Sequence, residues 1–194
     1  VLTINSRNYG AWSLRGWLLC RLAGVDVDVE VLPADDPQSR AELLLLSPSF
    51  LVPRLDMDGV TVWGTLAIAE FLNETFPGSR LLPADRAARA LCRSICDEMH
   101  SGFANLRAAM PMNIKARHPG FKRWAGAQAD VDRILEIWKM CLDRFGGPYL
   151  FGGPTMADSM YAPVVTRFVT YDVELDDQCA AYRELILSSK PLQE

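Results

Sequence analysis

Near residue 80 the hydrophobic periodicity of this chain changes character, and that change constrains the fold more than any other feature. Upstream, segments of period two and period 3.6 alternate; downstream only the helical period persists. Leu2 and Ile4 open a short apolar run. Residues 13–22 then place Leu14, Trp17, Leu18 and Leu22 on helical spacing and stop near Gly24. In residues 25–32, Val25, Val27, Val29 and Val31 alternate with Asp26, Asp28 and Glu30, which predicts a strand because a period of two matches the pleat. Residues 38–46 read as a second helix, ended at Ser47-Pro48. Residues 52–56 and 60–63 flank Met57-Asp58-Gly59, a hairpin signal, and Thr65 is placed to cap a helix through Ile68 and Leu72 to about Phe76.

The order β-α-β-α-β-β-α predicts a mixed sheet with helices on both sides. Pro77-Gly78 and Pro83 punctuate a linker. From about Asp85 the pattern is helical, broken at Pro111, His118-Pro119-Gly120, Gly146-Gly147-Pro148 and Gly152-Gly153-Pro154. We therefore expect an α/β domain over residues 1–77 and an all-α domain over residues 86–194.

Composition narrows the function classes. Of 194 residues, 49% are hydrophobic, enough to bury a full core. Twenty basic and twenty-four acidic residues leave a formal net charge of −4, which argues against a nucleic-acid partner, since that binding needs a basic face. No apolar run approaches the roughly 20 residues that span a bilayer, so no membrane partner is expected. Cys20, Cys92, Cys96, Cys141 and Cys179 show no metal spacing and read as small buried thiols in a reducing compartment, so no metal site is expected. No basic segment followed by an apolar core opens the chain, so a cytoplasmic location is expected.

Six stretches carry a family likeness. Asn8-Tyr9-Gly10-Ala11-Trp12-Ser13-Leu14-Arg15 resembles the opening of a proteobacterial branch of the cytosolic glutathione transferases. Val52-Pro53 before the hairpin, and residues 63–72 (Trp-Gly-Thr-Leu-Ala-Ile-Ala-Glu-Phe-Leu), resemble later motifs of its thioredoxin-like half. Residues 98–103, Pro111-Met112-Asn113 and residues 157–163 resemble the helical half of that branch. The resemblance implies a thioredoxin-like N-terminal domain, a helical-bundle C-terminal domain carrying the electrophile pocket, glutathione as co-substrate and a two-fold homodimer. It also implies that Pro53 is cis, that the backbone of Val52 pairs with the cysteine of glutathione, and that Thr65, as helix cap, seats the γ-glutamyl carboxylate.

The residues bear on these expectations individually. Glutathione has an ordinary thiol, with a pKa of about 8.5, that must be favoured as thiolate. A hydroxyl at the start of the first helix would do this, and Ser13 and Tyr9 are the candidates. Ser13 also reads as a plain helix cap and Tyr9 as packing, while the family's serine position falls at Gly10. Cys20 lies too deep in its helix to be a nucleophile, so a thiol-disulfide reductase fits poorly. Gly64 replaces an acidic residue that meets the glutathione amine, and Leu51 a basic residue near the glycine carboxylate. Two such lost contacts would weaken binding by about 3–6 kcal/mol if additive, with Arg40, otherwise a surface charge, as a possible replacement.

Met99, Phe103, Leu106 and Met110 recur at helical spacing, either as core or as an apolar wall for the second substrate. His100 adjoins that stripe and His118 sits in a turn. Thr155-x-x-Asp158 reads as a capping box whose truncation costs roughly 0.5–2 kcal/mol. The expected function is conjugation of glutathione to a small hydrophobic electrophile, as in detoxification. The alternatives are a non-catalytic binding module of the same fold and a glutathione-dependent isomerase.

Overall fold

A computed structural model of the chain describes residues 1–32 and 51–194. The helix expected over residues 38–46, and Arg40 within it, lie outside the described residues. A four-stranded sheet has the order β2-β1-β3-β4, formed by β1 (Leu2–Ile4), β2 (Val29–Val31), β3 (Arg54–Met57) and β4 (Val60–Trp63). β1 runs parallel to β2 with Leu2 opposite Val29, and antiparallel to β3 with Leu2 opposite Leu55. β3 and β4 form the hairpin, turning through Asp58 and Gly59, both at positive φ. The second strand is shorter than its alternating pattern because β1, its partner, offers only three residues for pairing.

Helix α1 (Ala11–Leu22) and helix α2 (Thr65–Thr75) pack on each other beside the sheet. Six more helices follow a short 3₁₀ turn at Pro77–Ser79: α3 (Arg86–Ser101), α4 (Ala104–Ala109), α5 (Ala125–Phe145), α6 (Met156–Thr170), α7 (Asp177–Leu187) and α8 (Lys190–Gln193). The architecture is a thioredoxin-like α/β part joined to a helical part, with α1 lying along α6. Trp138 anchors the helical core, its ring set against Tyr161, Phe168 and Tyr182. All five cysteines are free and buried. No helix among the described residues is long and apolar enough to cross a membrane.

Three local expectations need correction. Helix α1 begins at Ala11, so Ser13 lies inside its first turn and is not its cap; Gly10 stands at the cap without a side-chain bond. Thr65 is the first helical residue of α2, and Gly64, at φ +86°, is the cap. The stripe Met99–Met110 does not follow one helix either, because Phe103, at φ +59°, separates α3 from α4.

The capping box at Thr155 and Asp158 is present at the start of α6. Asp158 does more than cap. Its buried carboxylate accepts from the Thr155 N–H at 2.8 Å and hydroxyl at 3.2 Å, from the Leu150 N–H at 3.2 Å and from the Tyr182 hydroxyl at 3.1 Å. It therefore joins the loop before α6, the first turn of α6, and α7.

Candidate functional site

The middle of α1, at Gly16, and the start of α2 meet the Val52-Pro53 segment that leads into β3. The Val52–Pro53 bond is cis. A Cβ at Gly16 would stand 2.7 Å from Pro53 Cβ, so the absence of a side chain there lets α1 lie against the proline. The Pro53 carbonyl accepts from the Gly64 N–H at 3.1 Å, which sets the start of α2 beside Pro53. Among the described residues Val52 makes no backbone hydrogen bond.

Thr65 is buried, and its Oγ1 has no partner among the described residues. A buried hydroxyl without a partner is costly, and beside the unpaired N–H groups of the first turn of α2 it forms a seat for a carboxylate. Gly64 and Leu51 add no charge to that seat. A Cβ at Gly64 would meet nothing, but its positive φ strains any other residue there.

The loop between β1 and α1 carries the hydroxyls. Ser13 Oγ donates to Asn5 Oδ1 at 2.6 Å and accepts from the Asn5 N–H at 3.1 Å, so it holds the loop onto α1. Tyr9 is 65% exposed. The Ser6 hydroxyl accepts from the N–H groups of Asn8 and Tyr9, which leaves its own proton available. Gly10 has no room for a hydroxyl: its Cβ would fall 2.3 Å from Asn5 Oδ1 and 2.5 Å from the Ser6 carbonyl oxygen.

Where the two parts meet, Trp12 is flanked by cations. The Arg15 guanidinium lies 4.5 Å and that of Arg107 4.8 Å from its ring centroid, and the His100 ring 4.9 Å away. Arg15 is fully buried; its Nε donates to the Met160 carbonyl, and its other two nitrogens have no partner among the described residues. Arg167, also buried, donates to the carbonyls of Met110 and Pro163, and half-buried Arg107 donates to those of Met99 and Gly102.

Among the described residues none of the three forms a salt bridge. Burial lowers the pKa of Arg107, against Asp130, which raises it. Burial, then Arg107 and Arg167, lowers the pKa of Arg15, while burial and Arg107 bring Arg167 down to about 10. Burial, then Arg15 and Arg107, lowers that of His100. Such a concentration of positive charge, offset in part by Asp130 near Arg107 and Asp97 near His100, draws anions.

Met99 and Met110 are fully buried and Phe103 is nearly so; all three belong to the core. His118 stacks on Tyr171 in a loop. The arginine group was not singled out in the sequence, although each member interrupts an otherwise apolar stretch, most plainly Arg167 between Val165 and Phe168.

Comparison with known proteins agrees with this fold. The glutathione S-transferase N-terminal domain matches residues 9–75, and the C-terminal domain residues 123–186. Maleylacetoacetate isomerase of Rattus norvegicus is 31% identical over 182 residues, covering 90% of this chain and 81% of that protein. The chain belongs to the glutathione S-transferase family. Maleylacetoacetate isomerase of Rhizobium meliloti is 33% identical over 163 residues, covering 81% of this chain and 75% of its own. A Burkholderia glutathione transferase homologue, solved with bound glutathione, superposes with a TM-score of 0.72 at 23% identity, over 99% of this chain and 92% of that one, which supports the glutathione S-transferase fold.

Proposed function

We propose that this glutathione S-transferase family member is a glutathione-dependent isomerase of a small unsaturated diacid. The observation that carries the reading is the pair Arg15 and Arg107 against the Trp12 ring, with Arg167 adding its charge to the environment of Arg15. That wall suits an anionic acceptor better than a neutral hydrophobic electrophile, and the side chains expected to form an apolar wall are part of the core. The relatives named as isomerases of maleylacetoacetate, a diacid with a cis double bond, point to the same class. Support thus runs to isomerisation more than to conjugation.

The first domain fits glutathione at two places. The Thr65 hydroxyl and the N–H groups of α2 would hold its γ-glutamyl carboxylate, and the backbone of Val52 would pair with its cysteinyl unit. Bound glutathione would supply a thiol whose reversible addition to the cis double bond leaves a bond free to rotate before the thiol departs. The protein's own part is to favour the thiolate, through the N-terminus of α1 and the exposed Tyr9 hydroxyl, and to draw the diacid toward Arg107. Ser13 supports this by holding the loop. The exposed Val60 and Trp63 on edge strand β4 favour a two-fold homodimer.

The test is conversion of maleylacetoacetate or maleylpyruvate to the trans isomer with and without glutathione. Turnover should require glutathione, and Arg107→Gln should raise KM for the diacid about tenfold with little change in that for glutathione. Calorimetric binding of glutathione without turnover would favour the non-catalytic module, and absence of binding at several millimolar would overturn both. Thr65→Val separates fold from site. Removing a partnerless hydroxyl should leave the melting temperature unchanged or higher, while weakening glutathione binding by about 10- to 100-fold in the same calorimetry.

A further inference from the structure

All four hydrogen-bonding groups of Asn8 are engaged, and three of them cross to the helical domain. Its Nδ2 donates to Asn113 Oδ1 at 2.9 Å, its Oδ1 accepts from the Lys115 N–H at 3.2 Å, and its carbonyl accepts from the Ile114 N–H at 3.4 Å. The fourth, its own N–H, donates to Ser6 Oγ. Because Lys115 can only donate, the orientation of the Asn8 amide is determined, and Nδ2 must face an acceptor on Asn113.

The segment 110–115, which carries these partners, is tied on its far side to α6. The Thr170 hydroxyl donates to the Asn113 carbonyl at 2.9 Å, Arg167 Nε to the Met110 carbonyl at 2.8 Å and the Tyr171 hydroxyl to the Pro111 carbonyl at 3.0 Å. Residues 110–115 therefore stand between the loop that opens α1 and the helix that carries Arg167, hydrogen-bonded to both.

We infer that Asn8 is a positioning residue that, through Asn113, keeps the thiol-side loop of the first domain in register with the arginine-bearing helix of the second. It acts without touching either ligand. The inference rests on the isomerase reading, in which a thiol held by one domain must meet an acceptor drawn by the other. Misplacement by about 1 Å between reacting groups can cost a hundredfold in rate.

Four full-length variants test it: Asn8→Ala, Asn113→Ala, the double variant, and Asn113→Asp, which keeps an acceptor for Asn8. Amide hydrogen exchange without ligand should rise at least tenfold over residues 5–12 in the alanine variants and stay level over residues 125–145. With maleylpyruvate and glutathione, kcat should fall about 10- to 100-fold at KM values within about threefold. The double variant should be no slower than the slower single, and Asn113→Asp should match the original protein.

Exchange unchanged over residues 5–12, or raised equally over 125–145, would overturn the inference. So would a slow Asn8→Ala beside a normal Asn113→Ala, since Asn8 would then act by touching a ligand. An unmodified protein with no turnover sinks the isomerase reading, and the exchange results still decide the positioning role.

Discussion

Asp158→Ala should lower stability by about 3–5 kcal/mol, several times more than loss of a helix cap, and reduce the melting temperature by roughly 10 °C. The capping box accounts for only part of this. The alanine leaves the Leu150 N–H and the Tyr182 hydroxyl unpaired as well as Thr155, all of them in the interior. The expectation from the Thr155-x-x-Asp158 pattern alone is therefore too small. Burial pushes the Asp158 carboxyl up to about 6 from 3.8, against the hydrogen bonds that pull it down.

With the folded pKa above the unfolded one, the protonated form favours the fold. Its contribution is complete below pH 3.8 and is lost as pH rises through about 6. Asp158→Asn cannot titrate. Relative to that variant, the unmodified protein should lose about 2 kcal/mol between pH 4 and pH 7. Denaturant unfolding of both proteins across that range measures the difference; a constant difference would refute the shift.

Gly10→Ser should also fail, although it installs the hydroxyl that the family pattern places there. Its Cβ would fall 2.5 Å from the Ser6 carbonyl oxygen and 2.8 Å from Ser13 Oγ, and a backbone atom cannot rotate away. Overpacking of this kind costs about 1–3 kcal/mol or more, a loss of about 3–10 °C in melting temperature. The distorted loop is the one that holds Asn5, Ser6 and Ser13 together, so turnover should fall rather than rise. Gly10→Ala should melt at the same reduced temperature. A serine variant that melts like the original protein and turns over faster would show that the loop has slack and that the missing hydroxyl limits the rate.

The end of the second strand at Val29–Val31, the Asp58-Gly59 turn and the capping box were legible in the sequence because each depends on neighbours within a few residues, whereas residues 25–28 alternate without forming a strand. The cis Val52–Pro53 bond followed from a family likeness, not from local chemistry. The end of α3 was missed because Phe103 adopts a left-handed conformation that glycine, not phenylalanine, signals. The caps at Gly10 and Gly64 were misplaced by one to three residues, since a glycine cap carries no side-chain signature. The helix expected over residues 38–46 lies outside the described residues.

Order of the described elements, class of fold and membership of the glutathione S-transferase family were determined by the sequence itself, through periodicity and short motifs that survive without coordinates. Three things were decided only by tertiary structure. Arg15, Arg107 and Arg167 are separated by as many as 152 positions, yet they share one electrostatic environment. Asn8 and Asn113, 105 positions apart, form one hydrogen bond. Ser13, a cap or an activator on paper, holds Asn5. Charge repulsion, amide pairing and hydroxyl commitment all depend on distances of a few ångströms between residues remote in sequence, and packing alone sets those distances.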